Sequence, residues 1–312
     1  MRSQYYYMSV KNSIKGVVLV ALGATSYGML ATFVKLAYKE GFTTAEVTSS
    51  QFIYGIIGVL FINLFQRIKN KNSAIKANSK NILHLMIAGT SMGMTSVFYY
   101  LAVKYIPVSI GIVLLMQTVW MGVLLEWFLD KKAPSIQKAL AVLVVIIGTA
   151  FAINIFKINF NDTTIDWTKG LFWGLLAAAS FTTTMFTANK VALGISSAQR
   201  SLFMLLGGAI IVFGFGLYTQ TTEFNFEIFT KWGIVLALFG TIIPPMLLNA
   251  GFPLTGIGLG SIVSSLELPV SVLMAYFLLN EELQLIQWIG ILLIILAIVI
   301  MNIQFNNPVK KK

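Results

Sequence analysis

Glu267 stands near the middle of an apolar run, Gly256 to Leu279, where an acidic side chain has few passive reasons to be. An ionised carboxylate at the centre of a bilayer costs about 2.5–3.5 kcal/mol on insertion scales, so such groups usually face wet cavities and handle protons, ions or charged solute groups. Gly256, Gly260, Ser264 and Glu267 recur at spacings of three and four, which puts them on one helical face. Pro269 follows two residues later and should loosen the helix locally, because proline removes a backbone donor. The competing reading is a structural glutamate bonded to a neighbouring helix. Shifting the chain by 150 positions pairs Glu267 with Gln117, two polar groups at matching depths of opposed halves.

Other runs add polar or helix-breaking residues. Gly240-Thr241-Ile242-Ile243-Pro244-Pro245 places two adjacent prolines in mid-run, and the spacing predicts a break or bend there. Gly89 to Ser96 holds Ser91, Gly93 and Thr95, a second candidate interruption. Interrupted helices at corresponding places in two halves point to a binding site; a packing kink between small faces is the alternative. Thr184 lies on a hydroxylated face with Ala177, Ser180 and Thr187, suited to a pathway or to a packing seam. Thr25, Ser26 and Tyr27 in the first span pose the same choice between pathway and packing. Tyr99, Tyr100 and Trp120 could line a cavity for a flat or amphipathic ligand, though aromatic residues near span ends also anchor interfaces. Asn249 completes the candidate contacts. Lys35 and Lys190 each close the opening helix of a half, as snorkelling or gating cations. His84 is the single histidine and cysteine is absent, so no metal or cofactor is expected. A phosphate-binding G-x-x-x-x-G-K-[ST] run and an H-E-x-x-H helix are both missing. Asp130, Asp162 and Asp166 fall in connections, so a membrane hydrolase built on facing aspartates is unsupported and the chain is not expected to be an enzyme.

Ten apolar runs carry these residues, each near the roughly 20 residues that a helix needs to cross hydrocarbon. They are Ile14–Ala37, Val47–Gln66, Ile82–Val103, Val108–Leu129, Ile136–Phe156, Gly170–Leu193, Ser201–Tyr218, Gly233–Phe252, Gly256–Leu279 and Leu285–Ile303. The chain is 57% hydrophobic and 11% charged, with a mean hydropathy of +0.82, which leaves no soluble domain over. An all-α membrane protein of ten spans follows, since helices satisfy their own backbone groups in lipid. A cytoplasmic N-terminus puts 16 of the 22 basic residues inside, among them Arg67, Lys69, Lys71, Lys76, Lys80 and the tail Lys310 to Lys312. Positive-inside counting therefore places both termini in the cytoplasm. The net charge of +11 is explained by anionic lipid and needs no nucleic acid. The first span lacks an A-x-A-like cleavage site and should be retained. Richness in lysine, asparagine and isoleucine suggests an AT-rich bacterium, hence the inner membrane.

The halves, 1–157 and 158–312, read as repeats. Five being odd, the second enters the membrane from the opposite side. The shift of 150 matches Leu129 with Leu279, Ile136-Gln137 with Ile286-Gln287, and the turn Asp130-Lys131-Lys132 with Asn280-Glu281-Glu282. Inverted repeats of this kind mark secondary transporters, with the site between halves near the midplane. Phe128 to Gln137, the run Leu266-Glu267-Leu268-Pro269, Phe277 to Leu283 with Gln287 and Gly290, and Tyr105 to Ser109 resemble the EamA-type drug/metabolite transporters. Asp130-Lys131 stands where that family usually has Gly-Glu, and Gln51 where many members have an arginine, which argues against anionic cargo. The resemblance implies two inverted five-helix repeats around a central cavity, lined by the first, third, fourth, sixth, eighth and ninth spans. It implies a secondary-active carrier exporting amino acids or similar small metabolites by alternating access, with proton coupling through Glu267 as a hypothesis. Its partners would be a small-molecule substrate and the bilayer, in a monomer or homodimer. Rival expectations are a sugar- or nucleotide-type uptake or exchange carrier, or a non-transporting receptor or scaffold.

Overall fold

The computed structural model describes residues 2–69, 77–106, 108–131, 133–158, 165–280 and 282–302. Lys71, Lys76, Pro107, Lys132, Asp162, Glu281 and Lys310 to Lys312 lie outside the described residues. Every regular element among those described is a helix: α1 (Arg2–Lys39), α2 (Thr44–Lys69), α3 (Ser79–Tyr105), α4 (Val108–Leu115), α5 (Thr118–Asp130), α6 (Ile136–Ala152), α7 (Trp167–Lys190) and α8 (Ser197–Thr219). A composite helix follows, with π turns at Phe229–Gly233 and Leu238–Ile242 flanking α9 (Ile234–Ala237) and leading into α10 (Ile243–Thr255). The chain ends with α11 (Ile257–Ser264), α12 (Glu267–Leu279) and α13 (Leu285–Asn302).

Eight helical runs among the described residues are long and apolar enough to cross a membrane: Asn12–Lys39, Thr44–Lys69, Ser79–Tyr105, Ile110–Asp130, Trp167–Lys190, Ser197–Thr219, Phe229–Thr255 and Ile257–Leu279. Ile136–Ala152 and Leu285–Met301 are apolar but shorter. The first of these has 17 residues and spans about 26 Å, less than a hydrocarbon core of about 30 Å. The expected fifth span, Ile136–Phe156, thus stops early. Asn154 takes a left-handed φ of 54° and leads into a 3-10 turn at Ile155–Lys157.

Side chains cap the ends of several helices. Asn78, Ser135, Asp166 and Ser196 each accept from the backbone N–H three residues on, opening α3, α6, α7 and α8. The Lys169 ammonium bonded to Asp166 also holds that carboxyl below its usual range. α5 and α12 end alike, on Lys131 and Asn280 in left-handed conformation.

The bundle has a near end, where α1 begins, and a far end, where α1 turns into α2 through Gly41. Near the near end the helices pack to backbone contact. A Cβ built on Gly89 would collide with the Met204 carbonyl oxygen, and one on Gly207 with that of Met86, so α3 and α8 cross where only glycine fits. Gly16 and Gly251 do the same for α1 against α10. α6 and α13 pair through Gly148 and Gly290, with Gln137 Nε2 donating to the Ile300 carbonyl (2.5 Å) and Gln287 Nε2 to that of Ala152 (3.1 Å). Apolar side chains such as Phe65, Leu217 and Leu285 stay exposed on the outer surface, as lipid contact requires.

Candidate functional site

The far half of the bundle holds a cavity of about 140 Å³. α1 walls it from Tyr27 to Tyr38, α3 from Met92 to Val103, α2 at Gln51 and Phe52, and α4 at Ile112 and Leu115. α7 contributes Phe181 and Thr184, the second π turn Gly240 and Thr241, and α12 Glu267 and Ser271. Aromatic side chains hold these walls in edge contact: Tyr27 against Phe181 at 6.1 Å, and Tyr99 against Tyr100 at 5.8 Å between ring centres. Toward the near end the space closes on a packed cluster of Val20, Phe181, Met185, Ala188, Leu248, Phe252 and Val263.

A broken helix delivers Glu267. Pro269 has no N–H for the Ser265 carbonyl and its ring crowds that oxygen. The chain turns at Ser265 and Leu266, whose N–H groups bond three residues back, to Ile262 and Val263 (both 3.2 Å), while Leu268 N–H takes the Ser265 carbonyl. The first half breaks at the corresponding place, Met116 and Gln117, without proline. There Gln117 Nε2 donates to the Val113 carbonyl (3.0 Å) and Oε1 accepts from Trp120 Nε1 (2.8 Å). Gln117 and Trp120 therefore brace a bend and do not line the cavity.

Seven of the sequence candidates meet at the cavity: Glu267, Tyr27, Tyr99, Tyr100, Thr95, Thr184 and Lys35. A Cβ built on Gly28 would lie 2.5 Å from the Glu267 carbonyl oxygen, so Glu267 is level with Gly28. Lys35, seven residues on along α1, stands about 10 Å nearer the far end. Ser91 sits one layer behind, sharing a 2.8 Å bond with the Thr184 hydroxyl and accepting at its carbonyl from Thr95 and Ser180. Ser264 is buried away from the cavity, its hydroxyl bonded to the Gly260 carbonyl (2.9 Å). Asn249 lies at the near end, donating to Ser201 Oγ (2.9 Å). Lys190 is exposed at the end of α7.

One of the expected helix breaks needs correction. α3 runs unbroken through Gly93, whose missing side chain admits the Gly208 carbonyl of α8; the residue serves packing. Pro244 and Pro245 do stand where the regular α-helix gives way, as the expected break or bend requires, and the departure takes the form of a π turn. They open α10, and the missing donors are absorbed by the π turn before them, where Ile243 N–H donates to Leu238 five residues back. That widened turn puts Gly240 and Thr241 on the cavity wall.

Sequence reasoning misses the roles of two groups. Gln51 lines the cavity; Thr48 and Ser50 beside it satisfy themselves on α2 carbonyls, leaving the amide as the unspent polar group of that stretch. Arg200 is buried at the near end and donates to the carbonyls of Val191 (3.0 Å), Thr187 (3.3 Å) and Ala188 at the end of α7, and of Asn249 (2.5 Å) in α10. Pro253 is the available signal, because it cannot donate to Asn249 four residues back and leaves that carbonyl needing a partner.

Sequence comparison finds one family profile matched twice along the chain, the EamA-like transporter family, over residues 14–154 and 168–303. No curated protein matches by sequence. One solved crystal structure superposes with a TM-score of 0.74 over 93% of this chain and 97% of its own, at 13% identity, a likeness of fold alone.

Proposed function

The chain belongs to the EamA-like transporter family of membrane proteins, and from that premise we propose that it is a secondary-active carrier exporting amino acids or similar small metabolites. The observation that carries this reading is a cavity confined to one half of the bundle, closed toward the other, with Glu267 at its inner limit on a broken helix. Carriers bind at mid-depth and expose the site to one side at a time. Under the positive-inside orientation, with both termini in the cytoplasm of a bacterial inner membrane, this is the outward-facing form. The inverted-repeat reading draws support from the paired breaks at Met116–Gln117 and Ser265–Leu266, and from the reciprocal Gln137 and Gln287 bonds. In the same reading α6 and α13 cross the bilayer as a pair, completing ten spans. Glu267 is the coupling group, exchanging a proton as the cavity changes sides.

The test compares metabolites inside and outside cells expressing the wild type or Glu267→Ala at matched membrane levels. A solute exported by the wild type and retained by the variant is expected. Equal export by both would remove Glu267 from the site, and wild-type cells identical to empty ones would count against export.

A further inference from the structure

We infer that the near end is held shut by a latch, in which the Glu126 carboxylate, paired with the Lys138 ammonium, pins the start of α11; the inference rests on the carrier reading, which requires that end to open. Glu126 stands one turn before the end of α5 and Lys138 in the first turn of α6. Their ion pair is largely buried, with 22% and 19% of the side chains exposed. The same carboxylate reaches across to the second half of the chain. A Cβ built on Gly256 would lie 3.0 Å from its Oε1, and one on Gly258 would collide with its Oε2. The carboxylate therefore lies against the first turn of α11. A helix leaves its first N–H groups without intrahelical partners there and presents the positive end of its dipole. Any side chain at 256 or 258 would push the carboxylate away.

α11 is a short rod with a turn at each end. It has eight residues; Gly256 precedes it at a φ of 78°, a conformation that suits glycine, and the Ser265–Leu266 turn follows it and leads into Glu267. Leu259 and Val263, one turn apart, carry α11 into the packed cluster that closes the near end, against Val20, Leu248 and Phe252. Releasing the start of α11 would therefore unpack the seal, and the same rod is joined to Glu267 at its other end. The corresponding positions at the far end are built differently. The shift of 150 positions sets Tyr276 where Glu126 stands and Trp288 where Lys138 stands, and those two exposed rings meet at 6.2 Å between centres. A ring pair offers a helix start no charge, so the charged latch belongs to the end that is closed.

The chain has no cysteine of its own, so single introduced cysteines report which end is open. Ala188→Cys lies in the near seal, and Val103→Cys on the cavity wall toward the far end. Each is labelled with a water-soluble maleimide in the purified full-length protein in lipid nanodiscs, which leave both faces accessible. Glu126→Gln should speed labelling of Ala188→Cys roughly threefold or more and slow that of Val103→Cys, with little change in thermal midpoint. Glu126→Asp, which keeps the charge but shortens its reach, should fall between. Exchanging the pair, Glu126→Lys with Lys138→Glu, remakes the ion pair but puts a cation at the start of α11, so it should label as Glu126→Gln does. Unchanged labelling in Glu126→Gln, faster labelling at both positions, or a wild-type rate in the exchanged pair overturns the inference. Faster labelling at 188 with no change at 103 would leave the latch standing and defeat the carrier reading, because both ends would then open at once. Saturable solute flux in proteoliposomes, with labelling unchanged in every variant, would do the opposite.

Discussion

The same helices make both halves of the bundle, yet the interior cavity lies in one half, and the described residues of the other close on a packed core. α1 presents Gly16 and Gly23 to α10 near its start, then Tyr27, Lys35 and Tyr38 to the cavity further along. α3 presents Gly89 and Gly93 to α8, then Thr95, Tyr99 and Tyr100 to the cavity. Small residues let backbones touch, which is the main source of attraction between helices in lipid. Rings and long side chains hold the same helices apart. Residue size along each helix thus decides which end closes, and the sealed half should tolerate enlargement far less than the cavity half.

Gly207→Leu is the most severe challenge to that asymmetry. The new side chain would meet the Met86 carbonyl oxygen, a backbone atom that cannot swing aside. Overpacking typically costs about 1–3 kcal/mol, and a collision with backbone at a helix crossing belongs at or above the top of that range. Expression as monodisperse protein should fall several-fold and the thermal midpoint drop sharply. Ala31→Leu, on the cavity wall, should leave both nearly unchanged. Equal damage from the two would erase the distinction between the halves.

Much of this asymmetry is legible in the residues themselves, and the remainder has physical causes. Apolar run lengths locate the helices because hydrocarbon thickness dictates them, and Glu267 stands out because a carboxylate in such a run demands a reason. Gly93 misleads because glycine has two uses in membrane helices, and spacing alone does not separate a break from a close crossing. The proline pair is plain in the sequence, but the π turn that accommodates it depends on carbonyls displaced along the helix. Gln117, which the shift of 150 positions pairs with Glu267, serves the bend and not the cavity, because Trp120 is one turn away and a local bond satisfies it. Arg200 reads as one inner charge among many. Its partners come from α7 and α10, far apart in sequence, and only the fold brings those carbonyls together.

Arg200→Met sharpens the account of the sealed half without enlarging anything. The substitution keeps volume but strips donors from the last turn of α7 and from Asn249, whose carbonyl Pro253 leaves unserved. Hydrogen bonds involving a charged group contribute about 1.5–3 kcal/mol, and buried acceptors left bare add to the loss. A destabilisation of about 3 kcal/mol is expected, read as a lower thermal midpoint in nanodiscs. Arg200→Lys should recover only part, because one ammonium cannot span carbonyls on two helices. Solute affinity at the cavity should change little in whatever fraction stays folded. A large affinity loss at unchanged stability would mean that Arg200 reports to the cavity and not to the seal.

The two lysines at the ends of matching helices are the mildest and most discriminating comparison. Lys35 lines the cavity toward its mouth, whereas Lys190 is exposed at the near end of α7. Lys190 is not needed for capping, since Arg200 and the Val191 N–H already serve the last carbonyls of that helix. Lys190→Ala should therefore alter transport by less than about twofold, within the ±0.5 kcal/mol usual for surface positions. Lys35→Ala removes the cation that lines the cavity toward its mouth, so solute flux into proteoliposomes should change several-fold at low salt. The change should shrink as salt is added, because charges beyond about 8–10 Å are largely screened at physiological ionic strength. Matched effects from both alanines would restore the symmetrical gate that their positions in the sequence suggest. A difference confined to Lys35 would tie the working charge to the half of the bundle that holds the cavity.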